Sequence, residues 1–325
     1  MNRRFMSQSS GLLLAALASS VVFLLGWAVP AEAAPGRLVG FVSNRSAQET
    51  VTGANLYLDA NPDHTVVLRT PEQLAGLTDE AVSELWRDAD ALLFLGVHGE
   101  QVPRLLRLLE ASPLASKATL LAFSSDPRLT PLARLDGKLV FQGLEDTAFR
   151  ALTHNLSAAK DRAKERQRLS ALYPAQAAWL EASGYRDARA SENMAGLLAW
   201  VAARHARGIV VPAPVVHDAV RFMVDGAIRP AGALGLDPGR AAIAILDYDS
   251  GDRAGDREVH AALGKALAKH ELSCLSLLAR WGEASVSALE ELPSALGEVE
   301  LAGVVVIQDF VVGGGEGRGR PCLRG

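Results

Sequence analysis

Short runs of consecutive apolar residues recur in the first half of the chain, after residue 36. They lie at residues 38–42, 66–68, 92–95, 120–123 and 139–141. Runs of this length and composition are typical of strands in a parallel sheet, where both faces of each strand are covered. The pattern therefore predicts five buried strands.

The stretches between these runs carry helix signals. Thr70 followed by Pro71 indicates an N-cap with proline at the first helical position, and Thr78 marks the start of a second helix. Apolar residues then recur at helical spacing in two stripes: Val82, Leu85 and Trp86, and Val102, Leu105, Leu106 and Leu109. Strands that alternate with helices predict an α/β domain with a parallel sheet, here over residues 36–146.

Strand signals stop after this domain. Residues 155–172 and 192–205 are predicted to form helices, and five basic residues lie in or beside the first of them: Lys160, Arg162, Lys164, Arg166 and Arg168. Because Asp161 and Glu165 interrupt the basic run, we interpret it as a solvated helix face. Prolines and glycines are frequent from residue 212 onward, so we assign residues 147–239 to a helical segment and connector.

Strand and helix signals return at residue 240. Apolar runs at residues 241–246, 275–278 and 304–307 predict three strands, and residues 256–269 predict a helix. Three strands are few for a complete α/β domain, so we interpret residues 240–325 as the truncated start of a second α/β unit. The predicted fold class is α/β: a parallel-sheet domain, a helical and Pro-rich connector, then an incomplete second unit.

The first 33 residues resemble a secretory signal peptide. Arg3 and Arg4 precede an apolar stretch at residues 11–29, Pro30 ends it, and Ala31-Glu32-Ala33 supplies a small-x-small cleavage pattern. We expect export to the periplasm or cell envelope, with cleavage after Ala33. The alternative is an uncleaved membrane anchor, because the apolar stretch approaches the ~20 residues that span a bilayer.

Composition narrows the class of protein. Of 325 residues, 49% are hydrophobic and 22% are charged, which excludes an intrinsically disordered chain. The 33 basic and 37 acidic residues give a net charge of -4, so nothing favours nucleic-acid binding. The two cysteines, Cys274 and Cys322, are too few for a disulfide framework or a four-cysteine zinc site.

Candidate ligand-binding residues follow two of the predicted strands. His98 lies between glycines after residues 92–95, and Asp247 and Asp249 come directly after residues 241–246. Open α/β sheets bind ligands outside the carboxyl ends of their strands, so we expect these side chains at a ligand crevice. The alternative for His98 is a solvent-facing loop, because no second histidine or cysteine lies nearby in the sequence.

Sequence motifs for other chemistries fit poorly. The segment from Asp247 resembles the start of a calcium loop with Glu258 at its twelfth position, but Asp252 stands where such a loop needs glycine. The glycine run at residues 313–315 lacks the Lys-Ser/Thr ending of a phosphate loop, and no Gly-x-Ser-x-Gly or HExxH motif occurs. We therefore expect no self-contained hydrolase or metalloprotease.

Several segments together resemble the large subunit of cobaltochelatase and its relative, the magnesium-chelatase H subunit. Residues 180–185 (LEASGY) and 191–198 (SENMAGLL) resemble a segment with a glycine, then Glu-Asn, then a leucine helix. A Pro-rich connector at residues 211–214 follows, then the strand and acidic loop at residues 241–250, and a later strand and loop at residues 304–310. The resemblance covers residues 36 to about 320.

This resemblance implies a function in metal insertion. Such subunits bind a tetrapyrrole, a corrin or porphyrin precursor, in cobalamin-type biosynthesis, while separate AAA+ subunits hydrolyse ATP. Cobalt or magnesium and ATP are implied only for the full enzyme, so we expect no cofactor in this chain and no activity from it alone. Because members are roughly four times longer, we interpret the chain as an N-terminal fragment.

The resemblance and the export signal point to different settings. Tyr185, Arg186, Arg189 and Trp200 lie in the matched segment and are the implied tetrapyrrole contacts, since planar anionic macrocycles need apolar surfaces and cationic anchors. ATP-driven AAA+ partners work only in the cytoplasm, whereas the N-terminus predicts export. The alternative function is therefore a non-enzymatic periplasmic module that binds a tetrapyrrole or a metal.

Overall fold

The structure is a computed structural model that describes residues 36–159, 161–249, 251, 254–280 and 283–307. The predicted signal segment and the glycine run at residues 313–315 lie outside these residues, as does Cys322. Within the described part of the chain, no helix is both long and apolar enough to cross a membrane.

A six-stranded sheet, in the order β2-β1-β3-β4-β5-β6, forms the first half of the fold. Its first four strands are parallel: β1 (Arg37–Val42), β2 (Thr65–Arg69), β3 (Ala91–Leu95) and β4 (Thr119–Phe123). Side chains of these strands alternate between two apolar clusters, one on each face of the sheet. The structure thus confirms the α/β class and four of the five strands predicted in this region.

The fifth predicted strand, at residues 139–141, is wrong as a parallel strand. The chain instead makes a short antiparallel hairpin from β5 (Arg134–Leu135) and β6 (Lys138–Leu139). Asp136 and Gly137 form its turn with φ values of 50° and 78°. An Asp-Gly pair adopts this left-handed geometry readily, which reverses the chain within two residues.

Four helices accompany the parallel strands: α1 (Asn44–Ala60), α2 (Pro71–Ala75), α3 (Asp79–Trp86) and α4 (Gln101–Ala111). Thr70 closes a capping box with Gln73, and the Thr78 hydroxyl accepts a hydrogen bond from the Ala81 N–H, which confirms both predicted helix starts. Sequence reasoning missed α1 because mostly small and polar residues fill its buried positions: Ser46, Glu49, Thr50, Gly53, Ala54 and Tyr57.

The segment that follows is helical, as predicted, but divided differently. It contains α5 (Asp146–Arg150), α6 (Leu156–Ala158), α7 (Arg162–Leu172), α8 (Ala177–Gly184) and α9 (Ser191–Ala202). The single helix predicted at residues 155–172 is two helices, because the Asp161 carboxylate accepts a hydrogen bond from the Lys164 N–H and starts α7 anew.

A second sheet has five strands within the described residues, in the order β11-β9-β10-β7-β8. The three predicted strands are present as β9 (Ala242–Tyr248), β10 (Ser273–Ala279) and β11 (Leu301–Val306), all parallel. The predicted helix is α10 (Ala254–Ala268), and α11 (Glu283–Leu296), which the sequence analysis missed, connects β10 to β11.

The second sheet also contains a hairpin from the predicted connector. It consists of β7 (Val220–Val224), which pairs antiparallel with β10, and β8 (Ala227–Arg229). Asp225 and Gly226 make its turn with φ values of 51° and 76°. The second sheet therefore begins about twenty residues before the boundary predicted at residue 240.

Helices α1 and α9 pack closely where Gly53 faces the start of α9. A Cβ atom added at Gly53 would overlap the Met194 Cβ atom and lie 2.6 Å from the Ser191 carbonyl oxygen. Because the obstructing atoms are backbone and a Cβ atom, no side-chain rotation relieves the overlap. Only glycine allows the two helices this approach.

Replacing Gly53 with alanine should therefore destabilise the fold. We expect Gly53→Ala to lower the free energy of unfolding by about 1–3 kcal/mol, the usual cost of overpacking a core. Gly76→Ala is the matched control, because Gly76 has a φ of -85° and its added Cβ atom would lie 3.7 Å from the nearest atom. Urea unfolding of both variants is the measurement, and equal effects would contradict the close approach.

Candidate functional site

The carboxyl ends of the parallel strands of the first sheet meet at a topological switch point. In the order β2-β1-β3-β4, the connections from β1 and β3 leave in opposite directions, which opens a crevice between their ends. Ser43 follows β1, and its N–H donates to the Leu95 carbonyl at 2.9 Å. His98 follows β3, is exposed, and its Nε2 lies 2.8 Å from the Ser124 carbonyl oxygen.

Arg128 and Asp126 lie at the same edge, just after β4. The Arg128 guanidinium donates two hydrogen bonds to the Asp126 carboxylate, at 2.9 and 3.0 Å. The side-chain and backbone hydrogen bonds from Arg128 lower the pKa of Asp126 to about 2. The carboxylate beside His98 is thus already neutralised by a cation of its own, so this edge offers an exposed histidine and little net charge.

The carboxyl end of β9 carries the other two predicted aspartates, and both are buried. Asp249 forms an ion pair with Arg221 of β7, in which Nε donates to Oδ2 at 3.3 Å and Nη2 donates to Oδ1. Asp247 accepts a hydrogen bond from the Tyr248 N–H at 2.7 Å and another from His260 Nε2 at 3.1 Å. Neither carboxylate faces open solvent, because each is satisfied inside the fold.

Arginines crowd around Tyr248, between these two aspartates. The Arg189 guanidinium carbon lies 5.6 Å from the centroid of the Tyr248 ring. Arg162, at the start of α7, and Arg186 both interact electrostatically with Tyr248. Arg280, which directly follows β10, is an electrostatic neighbour of Arg162. We call Arg162, Arg186, Arg189 and Arg280 the arginine cluster.

Cationic charge accumulates in the arginine cluster, where Glu49 is an electrostatic neighbour of Arg186. Burial, and next the charge of Arg280, lower the pKa of Arg162 to about 10, and burial followed by the charge of Arg189 does the same for Arg186. Asp187, which is an electrostatic neighbour of Arg162, is already paired with Arg166. Among the described residues, Arg162, Arg189 and Arg280 form no ion pair with a carboxylate, so cationic charge is concentrated at this edge.

The arginine cluster also touches the first half of the fold. Arg186 Nη2 donates to Ser46 Oγ at 3.4 Å, in the first turn of α1, directly after the end of β1. Its Nε is buried and has no hydrogen-bond partner among the described residues. Arg186 therefore lies between the carboxyl end of β1 and that of β9, and both sheets contribute to the surroundings of the cluster.

Gly251 lies in close contact with Arg189, at a position where only glycine fits. A Cβ atom added there would overlap the Arg189 carbonyl oxygen and lie 2.6 Å from the Arg189 Cβ atom, and its φ of 88° also favours glycine. Its N–H donates to Asp249 Oδ1 at 3.1 Å. The ion-paired Asp249 thus holds Gly251 against Arg189.

Two residues implied by the resemblance lie in the core instead. Tyr185 is 3% exposed and donates its hydroxyl to the Pro212 carbonyl at 2.7 Å. Trp200 is 5% exposed, and the Arg204 guanidinium covers its ring at 4.4 Å from the centroid. Their placement favours a packing role, whereas Arg186 and Arg189 from the same matched segment do belong to the arginine cluster.

Asn193, from the quoted Glu-Asn pair, is a structural residue. Its side chain accepts from the Val215 N–H at 2.6 Å and donates to the Val215 carbonyl at 2.9 Å. It also donates to the Ala188 carbonyl at 3.2 Å. Asn193 therefore holds the extended connector against α9, and its role in this structure is to position the chain between the sheets.

The calcium-loop alternative does not fit the structure. Helix α10 begins at Ala254, so Glu258 lies inside that helix. In a calcium loop of twelve residues, the glutamate would be the last residue of the loop. Among the described residues, no group of three or more His, Cys, Asp or Glu side chains could hold a metal ion. Asp252 lies outside the described residues.

Sequence reasoning missed three members of the site. Tyr248 stands between the two aspartates that were named, and Arg280 follows a predicted strand, so position alone could have identified both. Arg162 was interpreted as part of a solvated basic face, which is wrong for that residue and for Arg166, because both turn inward. Helical spacing could have separated them from the exposed Lys164 and Arg168, because Arg162 and Arg166 lie on the same face of α7 as the buried Leu169.

Because Asp249 is buried, removing its side chain should lower the stability of the fold. We expect Asp249→Ala to lower the free energy of unfolding by about 3–5 kcal/mol, because it breaks a buried ion pair by removing the carboxylate that faces the Arg221 guanidinium. His98→Ala, at an exposed position of the other sheet, should change it by no more than about 0.5 kcal/mol. Chemical denaturation distinguishes the two variants. A small effect of Asp249→Ala would show that Arg221 reaches water in the variant.

Comparisons with known proteins find distant similarity among solved structures. No family model and no curated protein sequence matches this chain. Among solved structures, the chain is similar to the catalytic subunit of cobaltochelatase from Mycobacterium tuberculosis, with a TM-score of 0.42 and 16% sequence identity. The similarity covers 84% of this chain and 18% of that subunit, so the chain spans less than a fifth of the protein it resembles in fold.

Proposed function

We propose that this chain binds a carboxylate-bearing tetrapyrrole at the arginine cluster, as the N-terminal part of a cobaltochelatase-type large subunit. One observation carries the proposal: Arg162, Arg189 and Arg280 concentrate positive charge at the carboxyl end of the second sheet and form no ion pair among the described residues. Open α/β sheets place their ligand crevices at this edge.

The electrostatics favour an anionic ligand of more than one charge. Holding several guanidinium groups together out of water costs free energy. The lowered pKa values of Arg162 and Arg186 reflect this cost, because burial and the neighbouring positive charges both disfavour the charged form. Ligand carboxylates would accept paired, charge-assisted hydrogen bonds from these groups and relieve the repulsion. A ligand with several carboxylates around its rim meets this requirement better than a monoanion.

The tetrapyrrole is favoured over other polyanions by the matched segments. Residues 180–185 and 191–198, which carry the resemblance, flank Arg186 and Arg189 directly. Tyr248 adds an aromatic ring beside these cations, and planar macrocycles bind against such apolar surfaces. Cobalt or magnesium would be the substrate that the full enzyme inserts, and ATP hydrolysis would belong to separate AAA+ subunits.

Absorbance titration tests the proposal directly. We expect uroporphyrin III, which carries eight carboxylates, to shift its Soret band on addition of the full chain, and a tetracationic porphyrin of similar size to show no shift. Binding should weaken as salt is raised, because counterions screen the arginines. No spectral change with uroporphyrin III at micromolar protein would exclude the proposal.

Removing single cluster arginines should weaken binding. We expect Arg189→Gln and Arg280→Gln each to raise the Kd for uroporphyrin III by about tenfold, the effect of losing one charge-assisted hydrogen bond. Arg87→Gln is the matched control, since Arg87 is exposed at the end of α3 and pairs with Glu84 at 2.7 Å. If all three variants bind alike, the ligand does not use the cluster.

A second candidate is a non-enzymatic periplasmic module that binds the same class of ligand. The specific observation in its favour is that Arg186 contacts Ser46 of the first half and interacts with Tyr248 of the second, as in proteins that bind a ligand between two lobes. Small-angle scattering distinguishes the candidates. A decrease in the radius of gyration on adding uroporphyrin III would favour the two-lobed module.

We further propose that the chain is exported, from the pattern at residues 1–33. Cell fractionation followed by N-terminal sequencing should find the protein in the envelope or periplasm, starting at Ala34. An intact, purely cytosolic protein that retains Met1 would contradict export and favour the setting in which AAA+ subunits work.

A further inference from the structure

Three polar side chains form a buried hydrogen-bonded chain between α10 and the second sheet. His260 of α10 lies between them, with Nε2 3.1 Å from Asp247 Oδ2 and Nδ1 2.8 Å from Ser276 Oγ. Asp247, His260 and Ser276 are 7%, 2% and 1% exposed. We call these three residues the buried triad.

One tautomer of the His260 imidazole pairs with both neighbours in the buried triad. A carboxylate only accepts hydrogen bonds, so His260 Nε2 donates to Asp247, and Nδ1 then accepts from the Ser276 hydroxyl. Because buried polar groups cost free energy unless they are paired, the geometry holds all three side chains in one arrangement.

Nucleophilic catalysis does not explain the buried triad. Asp, His and Ser are the residue types of hydrolase triads, but a catalytic serine must reach a substrate carbonyl. Ser276 lies within β10 and is covered by α10, so no substrate can approach its hydroxyl. The buried triad therefore acts on its neighbours in the fold.

Its neighbour at the strand end is Tyr248. The second oxygen of Asp247 accepts the Tyr248 N–H at 2.7 Å, so the carboxylate that His260 holds also holds the backbone of Tyr248. The Tyr248 ring in turn lies beside the Arg189 guanidinium. A continuous path of contacts thus leads from Ser276 through His260 and Asp247 to the arginine cluster.

We propose that His260 is a positioning residue for the arginine cluster. It orients the Asp247 carboxylate, which fixes the backbone of Tyr248, and the Tyr248 ring in turn positions Arg189. The proposal rests on the proposed function for its ligand, but its effect on the strand end is independent of any ligand. Without the imidazole, the Asp247 carboxylate would rotate toward other donors and release the Tyr248 N–H.

Two variants of His260 separate positioning from packing. His260→Phe fills the same space without hydrogen bonds, whereas His260→Gln keeps a donor for Asp247 and an acceptor for Ser276. Leu292→Ala is the control, because Leu292 is buried on the opposite face of the same sheet, where its loss destabilises the fold without touching Asp247.

The expected results differ among these variants. His260→Phe should raise the Kd for uroporphyrin III by about tenfold, the scale seen when a group that orients a ligand contact is lost. His260→Gln should stay within about threefold of the unaltered chain, and Leu292→Ala should bind normally despite lower stability. Equal affinity of His260→Phe and the unaltered chain would overturn the proposal, as would a loss that Leu292→Ala reproduces.

Amide hydrogen exchange provides a readout that needs no ligand. The Tyr248 amide should exchange faster in His260→Phe than in either His260→Gln or Leu292→Ala. If the unaltered chain does not bind uroporphyrin III, the proposed function fails while this measurement still decides the role of His260, and unchanged exchange refutes it. Should His260→Phe fail to fold, Ser276→Ala removes one end of the buried triad, and the same two measurements apply with the same outcomes.

Discussion

The buried ion pair between Arg221 and Asp249 sets the geometry at the end of the second sheet. It joins β7 to the residue after β9, across the intervening strand β10. Separating two buried charges costs several kcal/mol, so these two strands cannot shift independently. Asp249 also accepts the Gly251 N–H, and Gly251 lies against the Arg189 backbone. The position of Arg189 in the arginine cluster therefore depends on this ion pair.

The arginine cluster destabilises the fold. Cations that are partly withdrawn from water and lie close together repel one another, and a chain selected for stability alone would place an acid among them or expose them. Of the acids nearby, Glu49 interacts electrostatically with Arg186, whereas Asp187 is paired with Arg166 and Asp249 with Arg221. Violations of local electrostatic preference of this kind concentrate at functional sites in natural proteins.

The sequence predicted those parts of the fold that hydrophobic patterns encode. The parallel strands, the caps at Thr70 and Thr78, and the helix α10 follow from periodicity and capping chemistry. Helix α1 could not be found in this way, because it packs through small and polar residues. The hairpin around Asp225 and Gly226 carried a readable signal, an Asp-Gly turn between apolar runs, that the high proline and glycine content of its surroundings obscured.

The candidate site was predictable only in part. Strand-end position identified Asp247 and Asp249, and the family resemblance identified Arg186 and Arg189. That both aspartates are buried and paired depends on Arg221 and His260, which approach from other elements and leave no trace in local sequence. The sequence thus indicates that the candidate site lies at the carboxyl end of β9. Whether the site is acidic or basic depends on the tertiary contacts that pair the aspartates.

The connector between the sheets is anchored rather than free. Tyr185 binds the Pro212 carbonyl, and Asn193 holds both backbone groups of Val215, so the segment that leads into the second sheet is bound to helices of the first half. Recombination or a fusion that exchanged the second sheet at residue 212 would separate these partners. Of the three hydrogen bonds that the Asn193 side chain makes among the described residues, only the one to the Ala188 carbonyl would remain. A transplant of the second sheet therefore has to carry residues 185–215 with it.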